Sequence, residues 1–218
     1  KPPSNTFLPN RSFRFTHQVK FSKSLLNADF RNSTSASVAD DTLTVRGTSG
    51  ADRLALRLAP GDAATLEVDF GDDGSADHSF DRATFSRIEV LLRSGHDQFR
   101  VDQVNGAFAD EAMTVNGGSG RDTMDGGDGA EHFIGGSGGD AVDGNKGDDS
   151  ADLGSGSDSF RWDPGDGSDD IEGRSGTDTL DFNGAAPNEN MSLSAESHRS
   201  VFLRDVANIR MDMNGVER

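Results

Sequence analysis

The sequence predicts an all-β fold organised around a coil of short strands. Three observations lead there: strand-like segments over 41–116, a nine-residue glycine-rich repeat over 117–181, and a return to strand-like segments after 182.

Residues 1–40 read as a basic N-terminal segment, loosely attached to the acidic body. Residues 1–35 hold six Lys/Arg and a single acid, Asp29, so they carry +5, which leaves −22 on the remainder of a chain whose net charge is −17. Phenylalanines are scattered through KPPSNTFLPNRSFRFTHQVKFSK without a helical or strand period.

From 41 to 116 apolar and β-branched residues alternate or cluster in runs bounded by turn residues, the pattern of half-buried strands. The runs are TLTVR (42–46), RLALRL (53–58), TLEVDF (65–70), RIEVLL (87–92), QFRVD (98–102) and MTVN (113–116). No window here has the spacing of an amphipathic helix. This stretch is expected to be a β-rich N-terminal extension.

The repeat over 117–181 is the most informative feature, because self-similarity at a fixed period marks a stacked architecture. It runs GGSGRDTMD, GGDGAEHFI, GGSGGDAVD, GNKGDDSAD, LGSGSDSFR, then Trp162 and Asp163 as an insertion, then PGDGSDDIE and GRSGTDTLD. Glycine holds the fourth place throughout, at Gly120, Gly129, Gly138, Gly147, Gly156, Gly167 and Gly176. An acid holds the sixth, at Asp122, Glu131, Asp140, Asp149, Asp158, Asp169 and Asp178. An apolar residue holds the eighth, at Met124, Phe133, Val142, Ala151, Phe160, Ile171 and Leu180. Each unit thus divides into a six-residue turn and a three-residue strand, and two units complete one coil with turns on alternating sides. Beyond 182, the segments NMSLSA, SVFLRDV and NIRMDMNGV read as C-terminal strands over 182–218, and the ending at Glu217-Arg218 reads as a truncation.

Composition narrows the chemistry. Hydrophobic residues make up 32% of the chain, low for a globular domain, and low hydrophobicity with high charge ordinarily signals disorder. Cysteine is absent, which removes disulfides as a staple. Bound metal is the other common staple, and an acidic chain suits a hard cation with oxygen ligands. Nucleic acid is excluded as a partner by repulsion from phosphate. Membrane insertion is not expected, since no segment reaches the roughly 18–20 apolar residues of a span.

The repeat itself calls for calcium. Glycines let the turn backbone enter positive φ so that carbonyls converge. Stacking brings the sixth-position carboxylates of every second unit together, where bare charges repel by on the order of a few kcal/mol per pair. Calcium reverses that sign, because it accepts six to eight oxygens in flexible geometry. Folding and metal binding should then be one coupled event.

The nonapeptides closely resemble the GGxGxDxUx units of the haemolysin-type, repeats-in-toxin family. FDRATFSRIEV, WDPGDGSDDIEG and FLRDVANIRMDMNGVER likewise look like segments of haemolysin-type calcium-binding proteins. The resemblance implies a parallel β-roll or β-solenoid with glycine-rich calcium-binding turns, flanked by additional β-strands. It also implies a secreted, extracellular protein exported by type I secretion. Carried over by position, it makes Asp122, Asp140, Asp149, Asp158, Asp169 and Asp178 side-chain ligands, with carbonyls from Gly117, Gly126, Gly135 and Gly144. The full metal-binding set is expected to comprise these residues with Glu131 and the turn glycines Gly118, Gly120, Gly127, Gly129, Gly136, Gly138, Gly147, Gly154, Gly156, Gly165, Gly167 and Gly176. Some units depart from the pattern: Glu131 is longer than Asp, Asn145 and Arg174 replace the second glycine, and Leu153 and Pro164 replace the first. Every-second-unit pairing of seven units allows at most about five calcium ions in the main array.

Other motifs are weaker. Gly50-Ala-Asp52-Arg-Leu54 and Gly95-His-Asp97-Gln-Phe99 repeat the glycine–acid–apolar spacing ahead of the array. They read either as turns of longer rungs or as ordinary turns, and ordinary turns without calcium are the favoured reading. Asp69 to Asp77 fails the EF-hand pattern and reads as a hairpin turn. The G-x-S-x-G of Gly135–Gly139 lies inside the repeat without a strand-to-helix setting. The five histidines are scattered, with no H-E-x-x-H, and Trp162 reads as a packing residue. The expectation is therefore a calcium-binding module of a secreted bacterial protein and not an enzyme. The alternatives are an accessory domain of a larger extracellular enzyme (a phosphatase, protease, lipase or polysaccharide epimerase) and an adhesin or matrix spacer.

Overall fold

In the computed structural model, the described residues are 32–184, 190–196, 199–205 and 209–217. Most of the basic segment expected over 1–40 lies outside them; its last part holds a strand, Ser35–Ala39, paired antiparallel with Thr42–Arg46. The described residues are almost entirely β, with one short 3₁₀ turn at Arg82–Thr84 and no α-helix.

The strands form two open sheets. The first runs in the order Ser35–Ala39, Thr42–Arg46, Arg87–Leu91, Ala112–Gly120, Glu131–Gly138, Ser150–Gly156, Asp170–Glu172, Ile209–Asn214, Arg199–Arg204, Met191–Glu196. The second runs Thr179–Phe182, Ser159–Trp162, Ala141–Asp143, Thr123–Asp125, Gln98–Asp102, Arg53–Ala59, Asp62–Phe70, His78–Asp81. Pairing is parallel through the middle of both sheets and antiparallel in the hairpins at their ends.

The nine-residue period sets this register. Thr123 lies beside Ala141 and His132 beside Ser150, so each strand pairs with one two units further on. Adjacent units therefore go to opposite sheets. Past the Trp162-Asp163 insertion the offset lengthens, as in Ser159 beside Thr179, and the same alternation continues. Leu54, Phe99, Met124, Val142, Phe160 and Leu180 line up across the second sheet. Val115, Phe133, Ala151, Ile171 and Met213 line up across the first.

These two rows meet in one hydrophobic cluster that draws on both sheets. The eighth-position residues face inward, and Met124, Phe133, Val142, Phe160 and Ile171 are all buried. In the first sheet the strands run on into the turns expected after them, as in Glu131–Gly138 and Ser150–Gly156, so that Leu153 is buried as well. Each large side chain removed from water there contributes roughly 1.5–3 kcal/mol. The apolar supply is thin, which is why the turns matter so much to this fold.

Trp162 is fully buried, stacked on Phe182 with ring centroids 4.5 Å apart, and its Nε1 donates to the Gly167 carbonyl. It is a packing residue. The stretch from Asp69 to Asp77 is the hairpin turn expected of it, joining Asp62–Phe70 to the antiparallel His78–Asp81, and Asp69 at its start accepts from Arg57 and from the Asp73 and Gly74 amides.

Candidate metal centre

The acids at the sixth position form two ladders along the stacked turns. In the longer one, each backbone N–H donates to the Oδ1 of the next acid: Asp52 to Asp97 at 2.7 Å, Asp97 to Asp122 at 2.9 Å, Asp122 to Asp140 at 2.9 Å, Asp140 to Asp158 at 2.7 Å and Asp158 to Asp178 at 3.0 Å. Glu217 continues it by accepting from the Asp178 amide at 2.8 Å. The shorter ladder runs from Glu131 to Asp149 at 2.8 Å and from Asp149 to Asp169 at 2.9 Å. The two-unit register produces this split, because alternate turns fall on opposite edges.

The second carboxylate oxygen is the informative one. The Oδ2 atoms of Asp97, Asp122, Asp140, Asp149, Asp158 and Asp178 are buried without a hydrogen-bond partner. Leaving a buried acceptor unsatisfied costs about 1–3 kcal/mol, and more when it is charged. Native folds seldom keep such atoms unless something binds them.

Backbone oxygens surround the same places. A methyl group built on Gly117 would stand 2.7 Å from Asp122 Oδ2 and 2.8 Å from the Gly135 carbonyl. At Gly135 the neighbours are Asp140 Oδ2 and the Leu153 carbonyl; at Gly126 they are Glu131 Oε2 and the Gly144 carbonyl. Leu153 departs from the repeat consensus in its side chain, yet it presents its carbonyl as a glycine would. Its own side chain is buried in the core. Gly144 borders Asp149 Oδ2, and Gly173 borders Asp178 Oδ2 and the Gly215 carbonyl.

The second-position glycines Gly118, Gly136 and Gly154 have φ of +96°, +103° and +96°, and the replacements Asn145 and Arg174 adopt +60° and +68°. The turn path is thus kept where the glycine is lost. The fourth-position glycines Gly120, Gly129, Gly138, Gly147, Gly156, Gly167 and Gly176 sit where stacked turns come closest. For most of them, the nearest neighbour of an added methyl group would be the fourth-position carbonyl of the preceding same-side turn. Gly127 faces Val101 and Gln103 instead, and Gly165 faces open space. Their part is confined to the turn path.

Glu131 differs from the aspartates. Its extra methylene lets Oε2 accept from the Gly127 amide of its own turn at 2.8 Å, so it is partly satisfied without any further ligand. Asp169 accepts from Asp149 and is buried.

Burial dominates the electrostatics. It pushes Asp149 up to about 8, Glu131 and Asp169 to about 7, and Asp97 and Asp140 to about 6. Burial also raises Asp122 and Asp158. Neighbouring carboxylates of the same ladder add to the rise at Asp140 and Asp149. Among the described residues no three His, Asp or Glu side chains gather at one point. At Asp122, Glu131, Asp140 and Asp178 one carboxylate stands beside a backbone carbonyl, an all-oxygen donor set that suits calcium and not a thiolate- or imidazole-seeking metal.

A pH dependence results. These carboxylates bind protons more tightly folded than unfolded, so the metal-free protein gains stability in acid and loses it as pH rises from about 4 towards 8. Thermal melts in chelator should show the midpoint falling over that window. Were calcium to take the same oxygens, an excess of it should weaken or reverse the trend, because metal and protons would compete there. A chelated midpoint that climbs with pH would contradict the ladder electrostatics.

No protein-family model and no curated protein matches the chain. Among the described residues no helix is long and apolar enough to cross a membrane.

Proposed function

We propose that this chain is a calcium-binding β-roll, a parallel solenoid of two sheets whose stacked turns hold calcium ions, acting as a module of a secreted protein. The observation that carries this reading is the set of six buried aspartate oxygens without partners, those of Asp122, Asp140 and Asp178 lying beside a backbone carbonyl as well. Asp122, Asp140, Asp158 and Asp178 would serve one edge, and Glu131, Asp149 and Asp169 the other. Calcium supplies the positive charge that these oxygens lack.

The residues themselves do the rest. Glycine-rich turns fix the carbonyls, Oδ1 of each aspartate ties one turn to its neighbour, and Oδ2 stays available for the ion. Outside the cell calcium is plentiful enough for sites of the 10⁻⁴–10⁻³ M class, which supports an extracellular setting. In calcium-poor surroundings the unpaired carboxylates oppose folding, so export could precede folding. The module is read as structural or binding in role and not catalytic.

Calorimetric titration tests this. Calcium should bind with several ions per chain and midpoints in the range of about 10⁻⁴–10⁻³ M, while magnesium, which demands octahedral geometry and sheds water reluctantly, should bind far more weakly. Equal heats for the two ions, or none for calcium, would sink the proposal.

A further inference from the structure

The turn Leu92–Asp97 stands outside the nonapeptide repeat, separated from it by a longer connection, yet it stacks on the Gly117–Asp122 turn as the repeat turns stack on one another. Ser94 pairs with Ser119 and Gly95 with Gly120, matching the pairing of Ser119 with Ser137 and Gly120 with Gly138 one turn later. A methyl group on Gly120 would stand 1.4 Å from the Gly95 carbonyl, the same approach that Gly138 makes to Gly120. Arg93 takes φ +83° at the second position and Gly95 +149° at the fourth. Arginine in that region costs roughly 1–2 kcal/mol, so the turn path is held against local preference.

Asp97 completes the likeness. It is 1% exposed, its Oδ1 accepts from the Asp52 amide, and its Oδ2 has no partner. Asp52, one turn earlier, is different. Thr48 donates to it from the backbone at 2.7 Å and offers its hydroxyl at 3.0 Å, both to Oδ2. Neither Thr48 nor Gly50 is in positive φ. The Gly47–Asp52 turn has its carboxylate satisfied by its own donors.

We propose that the calcium array begins one turn ahead of the repeat, with Asp97 as its first carboxylate ligand and with Asp52, satisfied by Thr48, as a metal-free cap. This rests on the calcium reading of the repeat and extends it to a turn that the nonapeptide spacing leaves out. The cap explains how the ladder ends: a hydroxyl and an amide take the place of the ion, so the edge turn needs no metal.

Native mass spectrometry of the full chain in calcium tests the claim by counting ions in wild type, Asp97→Asn, Asp52→Asn and Asp140→Asn. Asparagine keeps the Oδ1 acceptor for the preceding amide, which favours retention of the stack. Asp97→Asn should hold one ion fewer than wild type, Asp52→Asn the same number, and Asp140→Asn at least one fewer. A full count in Asp97→Asn beside a reduced one in Asp140→Asn would overturn this proposal and leave the repeat sites standing. A wild-type chain without calcium would overturn both. Should Asp97→Asn fail to fold, ¹³C spectra of the wild-type carboxylates decide: Asp97 Cγ should shift with added calcium while Asp52 Cγ stays, and a stationary Asp97 resonance would overturn the assignment.

Discussion

Gly138→Ala should unfold the middle of the molecule or destabilise it by at least about 4 kcal/mol, a loss at the top of the range for single substitutions, whether or not calcium is present. The added methyl would stand 1.4 Å from the Gly120 carbonyl oxygen, and the obstacle is backbone that cannot rotate aside. Gly138 also holds φ +143°, a region that only glycine enters freely. Relief would require separating two stacked turns and with them the hydrogen bond from Asp122 to Asp140. Gly61→Ala is the matched control, with φ +75° and nothing within 4 Å of the new methyl. It should cost about 1 kcal/mol, the penalty of the left-handed backbone alone. Chemical denaturation of the two variants in calcium checks the contrast, and similar losses for both would show that the turns are not in close contact.

Asp149→Asn should change sign with calcium. In chelator at pH 8 the variant should be more stable than wild type by on the order of 2 kcal/mol, because a buried charge is replaced by a neutral group of the same shape. The amide oxygen can still accept from the Glu131 N–H. On the proposed calcium reading the order should invert in excess calcium, because wild type would gain stability by mass action and the variant would lack a ligand. Paired thermal melts in chelator and in calcium measure both halves. A variant less stable in both conditions would mean that Asp149 is a structural hydrogen-bonding residue and not an ion's partner.

Much of the fold is legible in the sequence because its period is short and strict. TLTVR and QFRVD span the residues that form Thr42–Arg46 and Gln98–Asp102. The apolar eighth column from Met124 to Ile171 reads as the inward row, and it lies in the core. Two longer strands escape the sequence pattern, Ser35–Ala39 and His78–Asp81, along with the two-residue pieces Ser94–Gly95 and Ser175–Gly176 within turns. SASVA carries little apolar contrast, and HSFD is short and sits just beyond a turn-rich stretch. Ser35–Ala39 and His78–Asp81 each depend on a neighbouring strand for their place, which no local pattern encodes.

The candidate site is legible only in part. Asp122, Asp140, Asp158 and Asp178 lie in the ladder that the two-unit spacing implies. The place of Asp97 is obscured by the 25 residues that separate it from Asp122, an interval that breaks the 18-residue rhythm of the repeat. Substitution in the consensus misleads in the opposite direction. Leu153 counts against its turn when side chains are compared, although a carbonyl does not depend on the side chain attached to its residue. Glu217 joins the ladder through a position outside any nonapeptide, and only the stacking itself reveals it.

The most direct measurement is far-UV circular dichroism of the full chain, started in chelator and titrated with calcium, with magnesium as control. A calcium-dependent roll should give a weaker β signal and a low melting temperature in chelator at neutral pH, and a cooperative gain in both with calcium alone. A spectrum already rich in β structure in chelator, with a melting temperature that calcium leaves unchanged, would contradict it.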